Sequence, residues 1–162
     1  MKFSLSREAL LKPLQLVIGV VERRQTLPIL SNVLFSLSDK NLSITGTDLE
    51  VEIVGLTAVS ASEEEGSVTI SARKTLDICR SLPEGATLKF SSSEGKASIQ
   101  SGKSKFMLST LPASEFPTVD EGEKSLEFSV SGKDLQKLIE STSFAMAQQD
   151  VRYYLNGMLW EL

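Results

Sequence analysis

Few side chains in this sequence can act as nucleophile, proton carrier or metal ligand. Its 162 residues include no histidine and one cysteine, Cys79. Without histidine there is no Ser-His-Asp or Cys-His arrangement, no imidazole proton shuttle and no imidazole metal ligand. A lone thiol with no base to activate it is expected to be a buried helix residue rather than a nucleophile. Among the carboxylates, Asp48 and Glu50 alternate as a pair on one strand face would. A carboxylate hydrolase uses such pairs, but a solvated strand face is the better account, since nothing else in the sequence marks a glycosidase cleft. No glycine-rich phosphate loop is present. Neither a metal nor a cofactor is expected.

The cationic residues are better organised. Arg73, Asp77 and Arg80 stand at i, i+4 and i+7, with Lys74 adjacent, so a helix would place them on one face. An Arg73–Asp77 pair would then neutralise part of that face. The alternative is a phosphate-facing surface, where arginines add affinity without reading sequence. Arg23 and Arg24 follow the first helical pattern and precede Leu27-Pro28. Near the C-terminal end, Arg152, Tyr153 and Tyr154 read as a contact patch of aromatics beside arginine, as interfaces have, or else one tyrosine packs in the core at the start of a strand, as alternation along it nearly requires.

The elements that must carry these residues are legible. Hydrophobic content of 41%, charged content of 23% and a net charge of −4 describe a globular chain with a real core. The acid clusters in residues 61–66 and 115–127, whereas 71–82 and 101–106 are locally basic. No apolar run reaches the length of about 20 residues that a membrane span needs. MKFSLSREALLK is no signal peptide, so a reducing cytoplasmic location is expected.

A repeat organises the chain. Adding 125 to each number lays FSLSREALLKPL from Phe3 over FSVSGKDLQKLI from Phe128, and LSNVLFSL over LNGMLWEL. Eight of 35 ungapped positions are identical, among them Ser6/Ser131, Leu10/Leu135, Lys12/Lys137 and Leu30/Leu155. In the same register Arg24 lies over Gln149 and Pro28 over Tyr153, so both copies carry a polar loop there. The repeat implies one complete unit and the start of a second. The sequence is therefore expected to be part of a longer polypeptide, its last residues falling in the second unit's second strand.

Within the first unit, Lys2–Leu5 is read as a strand, and Ser6 caps a helix with an apolar stripe at Leu10, Leu14, Val17 and Val21. Pro13 inside that helix is expected to bend it. Alternating runs at 33–37, 42–44, 51–53 and 68–70 are half-buried antiparallel strands. A second helix at 71–82, facing the sheet with Leu76, Ile78, Cys79 and Leu82, ends at Pro83 and Gly85. Strands at 88–90, 97–99 and 106–108 follow, giving the order β-α-β-β-β-β-α-β-β-β. Residues 110–125 read as a linker, and Ser131 with Asp134 caps the repeat's helix.

LLKPL at 10–14, TLPIL at 26–30, LSITGTDLEVEI at 42–53, SARKTLDICRSLPEG at 71–85, SGKSKFMLSTLPASEFP at 101–117 and MAQQDVRYYLNGMLWE at 146–161 carry a family resemblance. The chain resembles the N-terminal part of bacterial DNA polymerase III beta subunits, the sliding-clamp family. The resemblance implies an α+β DNA-clamp (processivity) fold: repeated β-α-β-β-β modules with helices on one face of antiparallel sheets. It implies a first domain over 1–125, including the linker 110–125, and the start of a second over 126–162. The implied function is a homodimeric, non-enzymatic ring around double-stranded DNA, tethering the DNA polymerase III catalytic subunit and other polymerases and served by a clamp loader. Helices would line the hole, with basic faces inward and acid outward.

By the same resemblance, DNA contacts fall to Arg24, Arg73, Gln149, Tyr153 and Tyr154. The dimer interface falls to Lys74, Lys103, Lys105, Phe106 and Leu108 on an edge strand and its neighbouring helix. Part of a partner-peptide pocket falls to Arg152, Tyr154 and Leu155. The family often has arginine at 103 and 105, and lysine keeps the charge but loses the bidentate fork. Two other readings stand beside this one: a clamp-fold protein-binding scaffold that encircles no DNA, and a carboxylate-based hydrolase.

Overall fold

A computed structural model of the chain describes residues 1–21, 27–118 and 127–161. Residues 22–26, and with them the expected contacts of Arg23 and Arg24, lie outside the described residues. The chain divides into two compact units, Met1–Asp120 and Glu121–Leu162.

The first unit holds β1 (Lys2–Ser6), α1 (Arg7–Val17), β2 (Asn32–Ser38), β3 (Asn41–Thr47), β4 (Glu52–Ala58), β5 (Ala61–Glu64), β6 (Gly66–Ser71), α2 (Ala72–Ser81), β7 (Thr87–Ser93), β8 (Lys96–Ser101) and β9 (Ser104–Leu111). This is one strand more than the sequence pattern predicts. The acidic ASEE stretch, notable in the sequence only for its cluster of acid, forms β5 by pairing with β1 at Phe3↔Ser62 and Ser4↔Ala61. It lies at the end of the strand order, where only one edge needs a partner and charged side chains stay in water.

All pairings are antiparallel, in the order β4-β3-β2-β6-β9-β8-β7-β1-β5. Two β-α-β-β-β modules are visible, β1-α1-β2-β3-β4 and β6-α2-β7-β8-β9. Each lends its first strand to the other's sheet: β1 pairs β7, and β6 pairs β2. The two halves meet at β6 and β9 through only Thr69↔Leu111 and Ile70↔Thr110. A buried side-chain relay reinforces this narrow seam. Asn32 Nδ2 donates to Thr69 Oγ1 at 3.1 Å, and Thr69 Oγ1 donates to the Leu111 carbonyl at 3.0 Å.

Alternation along the strands sends Phe3, Leu5, Val33, Phe35, Ile44, Ile70, Leu88 and Phe90 inward, against Leu10, Leu14 and Val17 of α1 and Leu76 and Cys79 of α2. Phe3 stacks on Phe90 with ring centroids 4.8 Å apart, and Phe35 lies 5.6 Å from Phe90. α1 continues for four residues beyond Pro13, whose ring is buried against β4. Two glycines permit that approach. A Cβ on Gly55 would stand 2.6 Å from Pro13 Cβ, and one on Gly46 would stand 2.5 Å from Val17 Cγ1. Beyond β9, Phe116 packs with Ile29 and Leu30 in a second small core.

In the second unit the helical elements of the repeat recur in register. α1 (7–17) shifted by 125 is α3, Gly132–Thr142; the short 3₁₀ turns at 18–20 and 28–31 recur at 143–145 and 153–156. Ser6 Oγ accepts from Ala9 N at 3.2 Å and Ser131 Oγ from Asp134 N at 3.1 Å, as the shared capping positions require. The expected strands are absent: among the described residues of this unit no ladder forms. A helix closes its hydrogen bonds within itself, whereas a strand requires a neighbour. β1 and β2 find theirs in β3, β5, β6 and β7, whose counterparts in the +125 register would fall beyond position 162.

Candidate nucleic-acid interface

α2 presents two faces, as its spacing predicts. Ala72, Thr75, Leu76, Ile78 and Cys79 are buried, and Arg73, Lys74, Asp77 and Arg80 are exposed. The expected Arg73–Asp77 pair is not formed. Arg73 Nη2 instead donates to the Val21 carbonyl at 3.3 Å, tying α2 to the last described residue before the Arg23–Arg24 segment. Lys12 is exposed on α1. Arg7 is used internally: its Nε donates to the Cys79 carbonyl at 2.7 Å, and its Nη1 lies 3.0 Å from Glu8 Oε1. Glu8 also accepts from the Gly85 N–H at 3.0 Å, and that bond, with Arg7 beside it, holds its carboxyl below the usual glutamate range. The exposed helix layer therefore carries Lys12, Arg73, Lys74 and Arg80 against Asp77, once the Arg7–Glu8 pair is set aside.

The second unit brings Gln149, Arg152, Tyr153, Tyr154 and Leu155 into one closed loop. Ala147 N donates to Leu155 O at 2.9 Å, and Asn156 bonds Asp150 twice, Nδ2 to its carbonyl and Oδ1 from its N–H, each at 3.0 Å. Arg152 grips the Asp150 carboxylate with Nε and Nη2 at 3.1 and 3.0 Å. That grip lowers the Asp150 pKa and raises that of Arg152. Gln149 sits at the loop's crest with φ +58°. Tyr153 and Tyr154 are 81% and 67% exposed and meet edge to face at 6.0 Å, so neither is the core residue that strand alternation would require. Asp150 and Asn156, which shape this loop, were not singled out from the sequence. Their signal is the Asp-x-Arg spacing, in which a short carboxylate reaches a backbone N–H two residues on, as Asp150 does to Arg152 at 2.8 Å.

The residues assigned to subunit contact share one region of the first unit. Lys103 lies in the β8–β9 turn, Lys105 is exposed, Phe106 half-buried and Leu108 buried. β9 is internal in the strand order, yet β6 pairs it only at Thr110 and Leu111, leaving one edge of Ser104–Ser109 without a ladder partner. Beside that free edge a cleft of about 340 Å³ is lined by Lys74, Leu108, Asn32 and Leu111, among others.

The carboxylate pair does not survive folding. Asp48 and Glu50 lie in the β3–β4 turn rather than on a strand, and Asp48 Oδ1 accepts the N–H groups of Glu50 and Val51 at 3.0 and 2.8 Å. Those bonds hold its carboxyl below the usual aspartate range, so it is a turn-former unsuited to carrying a proton near neutrality. Burial pushes the Cys79 thiol up to about 11, as expected of an inert helix residue. Among the described residues no group of three or more acidic, cysteine or histidine side chains is placed to hold a metal, and no helix is long and apolar enough to cross a membrane.

The family model for the DNA polymerase III beta subunit N-terminal domain matches residues 1–120, and that for the central domain matches residues 129–162. The chain belongs to the DNA polymerase III beta subunit family. Among curated relatives, the beta sliding clamp of Pseudomonas aeruginosa is 59% identical over 162 residues, all of this chain and 44% of that protein. The beta sliding clamp of Escherichia coli K12 is 51% identical over 161 residues, 99% of this chain and 44% of that protein. A crystal structure of the P. aeruginosa clamp bound to griselimycin superposes with a TM-score of 0.94, covering 98% of this chain and 43% of that one. Caulobacter crescentus pol III beta, at 41% identity, gives 0.92 over 97% of this chain and 42% of that one. The chain thus spans under half the length of the relatives it matches. The architecture, helices on one face of antiparallel sheets in repeated modules, is the clamp fold.

Proposed function

We propose that this chain is the first domain and the opening of the second domain of a DNA sliding clamp, a ring that encircles duplex DNA without reading its sequence and tethers the replicative polymerase. The observation that carries the reading is the cationic helix layer, Arg73, Lys74 and Arg80 exposed on α2 in a chain of net charge −4. Family membership supplies the context. Arg24, Arg73, Gln149, Tyr153 and Tyr154 would touch the backbone weakly and in a salt-dependent way, while topology supplies retention. Lys74, Lys103, Lys105, Phe106 and Leu108 would meet a second subunit along the free part of β9. Arg152, Tyr154 and Leu155 would contribute to a pocket for peptides of polymerases and a clamp loader.

In this reading residues 1–125 form the first domain with its linker, and the second begins at 126. The protein works in the cytoplasm as an accessory subunit with no catalytic site or cofactor of its own. A clamp-fold scaffold that encircles no DNA would have no use for cations on the helix layer, which disfavours it.

The test loads the full-length polypeptide onto nicked circular DNA with a clamp loader and ATP, washes in high salt, and linearises the circle. Retention on the circle followed by loss from the line supports the ring. Equal loss from both sinks it.

A further inference from the structure

The sheet of β5, β1, β7, β8 and β9 has an inner face, where Phe3, Phe90 and Ile99 are buried, and an outer face of which the roles above use only Lys105, at its β9 border. On that outer face stand Lys2, Lys89, Lys96 and Lys105, all exposed. The register places them. Lys89 pairs Gln100, which pairs Lys105, in one row; Lys2 lies in the next row, opposite Ser91, and Lys96 in the row beyond, opposite Ser93 and Ser109. With strands about 4.8 Å apart and same-face residues about 6.8 Å apart, the four ammonium groups share a flat field about 14 Å on a side.

None of the four is ion-paired among the described residues. Glu64, the acid in the Lys2 row, is 3.3 Å from the Met1 amine, and Glu94 lies in the β7–β8 turn at the border of the field. The other half of the sheet has no such field. Its corresponding face pairs Ser43 with Leu56 and Thr45 with Val54, and it carries no lysine on β2, β3, β4 or β6. The lysines of the strands are thus confined to one half of the sheet in an acidic chain. Only Lys2 and Lys89, one strand and one row apart, lie within about a Debye length of 8 Å, and the wider spacing of the others leaves each ammonium free to meet a separate phosphate.

We infer that this lysine face is a sequence-independent docking site for single-stranded nucleic acid, held through its phosphates. A flexible phosphodiester strand can bend to meet cations laid out in two directions, whereas a duplex touches a flat field along one ridge. The face exposes no aromatic ring, so bases are not stacked and not read. A peptide's apolar pocket is missing from it, and the free edge of β9 touches the field only at its Lys105 border, away from Lys2, Lys89 and Lys96. The inference goes beyond the clamp reading, which places duplex DNA against the helices.

The test titrates a fluorescein-labelled oligothymidylate with the full-length polypeptide, following anisotropy across a salt series. Combined Lys2→Gln, Lys89→Gln and Lys96→Gln should reduce the slope of log K against log salt by about 2, at ~0.7 per single-strand phosphate. Arginine at the same three positions should restore it, which separates charge from folding. Lys105 is left unchanged because it also belongs to the proposed subunit contact. An unchanged slope overturns the inference, as does polyglutamate displacing the oligonucleotide more effectively than unlabelled oligothymidylate does. Retention of the glutamine variant on nicked circles reports the ring separately, so either idea can fail alone.

Discussion

Gly55→Ala is a single methyl group placed where α1 rests on β4. Its Cβ would lie 2.6 Å from Pro13 Cβ, 3.1 Å from Pro13 Cα and 3.3 Å from the Pro13 carbonyl oxygen. Ordinary carbon contacts are about 3.6 Å, so helix and strand must part by about 1 Å. The obstructing atoms include backbone, and no rotamer change can relieve them. Overpacking of this kind costs about 1–3 kcal/mol. The reduced freedom of the unfolded chain returns about 0.4–1 kcal/mol. The net expectation is a loss of about 1–2 kcal/mol, seen as a lower urea midpoint at unchanged m-value. Circular dichroism is the appropriate probe, because the single tryptophan, Trp160, belongs to the second unit. Gly19→Ala is the control: its Cβ would meet nothing within 4 Å, so it should be neutral or slightly stabilising. A Gly55→Ala protein as stable as the parent would refute the close-packing argument.

Thr69→Val should cost about 1–3 kcal/mol in urea unfolding, because it strands the buried Asn32 amide and the Leu111 carbonyl, while Thr69→Ser should hold most of that stability. Hydrogen exchange at Leu111 should accelerate in the valine variant, since β6 and β9 share only two residue pairs, whereas the Thr110 amide, bonded to the Gly95 carbonyl at 3.0 Å, is the internal control. Cys79, with a thiol at about 11, should resist iodoacetamide at pH 8, where about one in a thousand is thiolate, and react only on unfolding; rapid labelling of the native chain would contradict its burial. Glu8 has a depressed pKa, so its tie to Gly85 contributes above the ordinary glutamate value and is lost as pH falls through the folded value. The Gly85 amide shift should titrate with a midpoint below that of a free glutamate, and Glu8→Gln should abolish the titration.

The sequence alone determined the helical elements, and the physical reason is locality. Ser6 and Ser131 cap eleven-residue helices in the same +125 register, and the short turns that follow recur in step, although no sheet forms among the described residues of the second unit. Such elements close their bonds within a few residues, so capping and apolar spacing suffice to specify them. The amphipathic division of α2, with Arg73, Lys74 and Arg80 outward, was legible for the same reason.

Tertiary structure decided everything that depends on a distant partner. ASEE became β5 only because β1 offered an edge, and LNGMLWE, with a strand-like pattern, forms no strand ladder among the described residues. The exchange of first strands between modules, the short β6–β9 seam and the free edge it leaves beside Lys105 and Phe106 follow from register between residues far apart in sequence. Arg73 chose the Val21 carbonyl over Asp77, its neighbour one turn along. The lysine face belongs to the same class. Lys2, Lys89, Lys96 and Lys105 have no periodicity along the chain, and only the pairing of four strands puts them side by side.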